Sequence, residues 1–112
     1  MNESLKDMHD RLLAQHNALA EKLGEETNPD SAKTILMEMR EILHRIDLVQ
    51  NLLFRETSKA LENAVAKVRR ADGQLQKAIK TAADITKMVK ATAEFLKYVD
   101  KAIDVAKTLA IL

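Results

Sequence analysis

The sequence predicts an all-α protein. The expected architecture is a long antiparallel helical hairpin with a shorter N-terminal helix against it, a three-helix bundle that completes a larger helical bundle by self-association. Three observations carry this prediction. From Leu75 onward the apolar positions Leu75, Ala78, Ala82, Ile85, Val89, Leu96, Val99, Ile103, Ala106 and Ala110 recur in alternating steps of three and four, the signature of one helix face. Thr92 is the one polar residue in that stripe, and Met88, Phe95, Ala102 and Leu109 widen it. Second, two glycines and one proline are too few to turn the corners of a sheet protein, and at 3% aromatic the core must be aliphatic. Third, only one stretch of the chain, residues 24–30, has clear loop chemistry.

At 112 residues, 46% hydrophobic and 31% charged, the chain reads as a single folded domain over residues 1–112. It has no cysteine, which removes disulfides, thiolate metal sites and thiol nucleophiles. The start Met1-Asn2-Glu3-Ser4-Leu5-Lys6 lacks the basic and apolar regions of a signal peptide. No window reaches the roughly 18 apolar residues of a membrane span. A cytoplasmic location is expected.

Helix 1 is expected over about 3–23, with Ser4 and Asp7 as a capping pair and the stripe Leu5, Met8, Leu12, His16, Leu19 and Leu23. Gly24 stands where a left-handed C-cap belongs. After the loop at 24–30, Asn28 reads as an N-cap and Pro29 as the first helical residue. Helix 2 is expected over about 31–72 on Ile35, Met39, Ile42, Ile46, Val49 and Leu53, then Leu61, Val65 and Val68. Its stripe slips by one residue at Arg55-Glu56-Thr57-Ser58, the place for a kink over 55–58. Asp72-Gly73 reads as the hairpin turn, and helix 3 as about 74–111. The apolar phase nevertheless continues through Gly73, so the alternative is one unbroken helix from Pro29, a rod of more than roughly 120 Å.

Two helices near 40 residues and one half as long leave an uncovered face, formed by Ile85, Met88 and Val89 with Leu61 and Val65. That mismatch predicts a homo-oligomer, most simply a dimer, with a four-helix core at the uncovered end. Met37, Met39 and Met88 read as core filler. Charge is uneven. Residues 1–56 carry 7 Lys and Arg against 11 Asp and Glu, a net of −4, and residues 57–112 carry 11 against 6, a net of +5.

Chemistry-bearing motifs are few. Glu41-Ile42-Leu43-His44 has the Glu-x-x-His spacing of di-iron bundles, but one copy and no further core carboxylates make a surface pair the better reading. His9 and His16 lack a second ligand at chelating spacing, and His16 reads as a half-buried stripe residue. No phosphate-binding glycine loop or nucleophile elbow is present. No metal, no cofactor and no enzyme activity are expected. The lysines beyond residue 74 alternate with acids at Lys80–Asp84, Lys90–Glu94 and Lys101–Asp104, as on a solvated helix face.

Lys67, Arg69, Arg70 and Lys77 would gather at the hairpin tip as a cationic contact surface, and Leu109 and Ile111 give the chain an apolar final turn. The expected function is a non-enzymatic interaction module that self-associates and binds another protein. The alternative is an amphipathic protein of lipid surfaces, acting through helix 3 and its last turn. A third reading is a nucleic-acid accessory protein using the tip cations.

Overall fold

A computed structural model describes residues 1–81 and 85–111. Among them lie four helices of nearly equal length: α1 (Glu3–Glu25), α2 (Pro29–Gln50), α3 (Lys59–Thr81) and α4 (Ile85–Lys107). The chain is therefore all-helical, with four helices rather than three. Ala82 of the apolar stripe and Asp84, the expected partner of Lys80, lie outside the described residues.

The start of α1 is set by Asn2, whose side-chain oxygen accepts the Leu5 N–H at 3.2 Å. Ser4 and Asp7, expected to cap, lie inside the helix. Gly24 is helical rather than a left-handed cap, since no glycine has positive φ. Asn28 does cap α2, accepting the N–H groups of Asp30 at 2.9 Å and Ser31 at 3.3 Å, with Pro29 following. The slip expected at 55–58 is a full interruption at residues 51–58. There Ser58 opens α3 by accepting the Leu61 N–H at 3.1 Å, and Glu62 in the first turn complements the helix dipole.

Gly73 is no hairpin turn. It lies inside α3, because the stripe Leu61, Val65, Val68, Leu75 and Ile79 is one continuous buried face and a helix tolerates one glycine at about 1 kcal/mol. The long rod is equally absent, since α2, α3 and α4 are separate helices. Gly73 is exposed, and a methyl group added there meets nothing within 4 Å. Gly73→Ala should therefore raise the unfolding free energy by about 0.5–1 kcal/mol in a denaturant titration. A loss of stability would mean that the backbone at this position is not helical.

Around the bundle, α1 lies against α2 and α3, and α4 lies against α3 and α2. The shape is elongated, 47 × 21 × 16 Å. Helices α1 and α2 are antiparallel, with the Asn2 N–H donating to the Leu53 carbonyl at 2.8 Å. Helices α1 and α3 run parallel, since Asp7 meets Arg69 and Arg11 meets Asp72. The 51–58 segment crosses one end of the bundle and is stitched there to Asn2 ahead of α1 and to residues 109–110 after α4. Asn2 Nδ2 donates to the carbonyls of Arg55 and Glu56. The Glu56 N–H donates to Ala110, and Arg55 Nη1 to the Leu109 carbonyl at 2.7 Å.

The core is aliphatic, with Phe95 its largest fully buried side chain. Leu61, Val65 and Met88 are all buried inside this single chain, because four helices of matched length cover one another. The mismatch between two long helices and one short one, which pointed to self-association, does not exist. Thr92 fits the apolar stripe by donating its hydroxyl to the Met88 carbonyl at 2.9 Å. Met37, expected in the core, is exposed.

The α1–α3 seam carries a polar layer inside this core. Asp72, nearly buried, accepts from Arg11 Nη1 at 2.8 Å and from Gln15 Nε2 at 2.7 Å. Asp7 accepts from both Arg69 and Arg11. Burial alone would raise the Asp7 carboxyl, but the hydrogen bonds and charges of Arg69 and Arg11 outweigh it and hold its pKa below the ordinary value. On the other seam, Arg45 donates to both carboxylate oxygens of Asp100, at 3.0 and 3.1 Å.

Candidate functional site

The buried stripe of α3 fixes which of its residues emerge beside α4. Lys67, Arg70 and Gln74 follow one another at helical spacing on that flank and meet Glu94 and Tyr98 of the antiparallel α4. Together with Ala71 they line a cleft of about 240 Å³. A shallower extension along α4 adds Lys87, Lys90 and Lys97. Five cations thus line the continuous groove, and Glu94 is the one carboxylate among its lining residues.

The electrostatic reason is the use of acids elsewhere. Asp72 is turned to Arg11 and Gln15 across the α1 seam, and Asp100 to Arg45 across the α2 seam. Neither can neutralise the outer groove. Half-buried Tyr98 has two ammonium groups near its ring, Lys97 Nζ at 5.3 Å and Lys101 Nζ at 5.6 Å from the ring centre, distances at which cation–π attraction applies. Glu94 approaches Lys97 at 3.9 Å rather than pairing with Lys90. Lys67, Arg70, Lys87 and Lys90 make no ion pair among the described residues, so their charge is available to an anionic ligand.

The chain matches no family model, no curated protein and no solved structure.

The cations expected to act together are divided by the fold. Lys67 and Arg70 share the groove, but Arg69 points to the other flank of α3, 2.9 Å from Asp7. Lys77 is exposed farther along α3 and does not line the cleft. All four stand along a helix instead of at a tip. Met88 is fully buried in the core and Ile85 packs half-buried against it, while Val89 is half-buried, so the trio does not form one open face. Leu109 is half-buried, and Ile111 is exposed at the end bearing the crossing segment. The broad apolar face on which a lipid-surface reading rests is spent inside the bundle. Among the described residues, no helix is long and apolar enough to cross a membrane.

The other motifs resolve simply. Glu41 pairs with Arg45, not with His44, which is exposed. No group of three or more acidic or histidine side chains is set to hold a metal among the described residues. The buried stripe of α1 passes through Gln15 rather than His16, which is half-buried beside it, and the His9 Nε2 atom is buried without a hydrogen-bond partner among the described residues. The groove between α2 and α4 mixes Glu38, Glu41 and Asp104 with Arg45, Lys97 and Lys101, and so carries no single sign. Partial burial, with Glu41 nearby, raises the Glu38 carboxyl.

Sequence reasoning missed Gln74, Glu94 and Tyr98 as members of the site and read Lys87, Lys90 and Lys97 as a solvated face. The 67/70/74 and 87/90/94/98 spacings were present, but joining them needs the register of α3 against α4.

Proposed function

We propose that this chain is a non-enzymatic protein-interaction module whose α3–α4 groove docks an acidic protein segment. The observation that carries the reading is the one-sided charge of the groove, five cations against Glu94, beside a half-buried aromatic ring. An acidic amphipathic helix supplies carboxylates for Lys67, Arg70 and Lys90 and an apolar contact for Tyr98, the groove mode of helix recognition. Glu94 favours a protein over a nucleic acid. A polyphosphate backbone would bring like charge against it, whereas a protein segment can offer it a donor. The overall net charge of +1 also lacks the excess that drives non-specific nucleic-acid binding.

The test uses three probes under the same buffer: an acidic helical peptide with glutamates at i and i+4, a short DNA duplex, and vesicles containing anionic phospholipid. The peptide is expected to shift the amide resonances of α3 and α4 in a salt-dependent way. Lys67→Glu with Arg70→Glu should weaken it at least about tenfold, corresponding to the loss of two charge-assisted contacts. Tighter binding of the duplex or the vesicles would replace the reading, and so would a peptide response unaffected by the double reversal.

A further inference from the structure

The opposite side of the bundle carries a second organised surface, independent of the groove. On the outside of α2, Lys33, Leu36, Arg40, Leu43 and Asp47 recur in steps of three, four, three and four. This is the spacing of a helix-packing seam, yet all five residues are exposed. The leucines are large for such positions, with Leu36 at 42% and Leu43 at 47% exposure, and Leu13 of α1 adds to them at 39%. Lys33, Arg40 and Asp47 make no ion pair among the described residues. The core-facing stripe of the same helix, Ile35, Ile42, Ile46 and Val49, is separate and already buried.

The stripe is self-complementary when reversed. Counting outward from Arg40, the leucines lie four positions before and three after, and Lys33 and Asp47 lie seven positions to either side. An antiparallel copy therefore sets Leu36 against Leu43 of the second copy, and Lys33 against Asp47 of the second copy, each pairing occurring twice. We propose that this face is an isologous interface on which a second copy of the chain lies antiparallel, with the twofold axis at Arg40. A parallel copy would set lysine against lysine and aspartate against aspartate, so charge selects the antiparallel arrangement. Arg40 meets its own counterpart at the axis. That like-charge contact keeps the association weak and rapidly exchanging.

Sedimentation equilibrium from micromolar to millimolar concentration tests this, with circular dichroism confirming that each variant stays helical. The wild-type chain is expected to show a monomer–dimer equilibrium. Leu43→Glu should weaken it at least about tenfold, as expected when each Leu36–Leu43 contact is replaced by a leucine against a desolvated carboxylate. Lys33→Asp and Asp47→Lys should each weaken it, and the two together should restore it, because each residue meets the other's position across the axis. Arg40→Leu should tighten the dimer. A wild-type chain that stays monomeric to millimolar concentration overturns the proposal, and so does a double charge swap that fails to restore association.

Discussion

Asp72→Ala is expected to lower the unfolding free energy by about 3 kcal/mol and the melting temperature by roughly 10 °C. Asp72 is the shared acceptor of Arg11 and Gln15 in the α1–α3 seam, so its removal leaves two donors facing a nearly buried space. Gln15 is the more exposed to this loss in energetic terms, being almost wholly buried with its Oε1 atom already unpartnered. Arg11 retains Asp7 at 3.1 Å and about a third of its solvent access, which tempers its share. Replacing the layer as a unit should behave differently. Arg11→Met, Gln15→Leu and Asp72→Leu combined are expected to be neutral or stabilising, because no polar group is then stranded. A single substitution costing under about 0.5 kcal/mol would show that the layer is already hydrated.

The same layer sets an acid limit. Asp7 has its folded pKa held below its ordinary value, so its stabilising contribution is complete above about pH 4 and is lost as pH falls through the lowered folded value.

Asn2→Ala is the second large effect, a loss of about 2 kcal/mol by chemical denaturation. This buried side chain has two roles. Its oxygen caps α1 at Leu5, and its amide donates to the carbonyls of Arg55 and Glu56 in the crossing segment. Asn2→Asp separates them, because a carboxylate still caps the helix but cannot donate. If stitching matters, the aspartate variant stays destabilised, whereas full stability in that variant would assign the whole effect to capping.

The helix class and much of the core were legible in sequence, since Leu5, Met8, Leu12 and Leu19, and then Ile35, Ile42, Ile46 and Val49, occupy their expected buried stripes. The interruption at 51–58 announced itself as a slip of phase. Its cause, the Ser58 cap with Glu62 in the first turn, was readable but weak. The end of α3 at Thr81 and the start of α4 at Ile85 were not readable. The apolar period runs on past both, with neither glycine nor proline between them, while the Asp72-Gly73 pair supplied a turn signal that continuous burial of Leu61 through Ile79 overrides. The groove was lost with that boundary. Lys67 and Arg70 are near Glu94 and Tyr98 only after α4 turns back on α3.

The arrangement of helices around the bundle also bears on how the chain finds its shape. Contacts between α1 and α2, and between α3 and α4, join neighbours along the chain. The ionic seams instead join residues 55 to 62 positions apart. Loop-closure entropy therefore falls on the seams and hardly on the hairpins. Each hairpin can nucleate by itself, and the slow event should be the meeting of two preformed halves. The polar layer then acts as a register check, since a docking displaced by one turn would strand Asp72, Arg11 and Gln15 away from their partners.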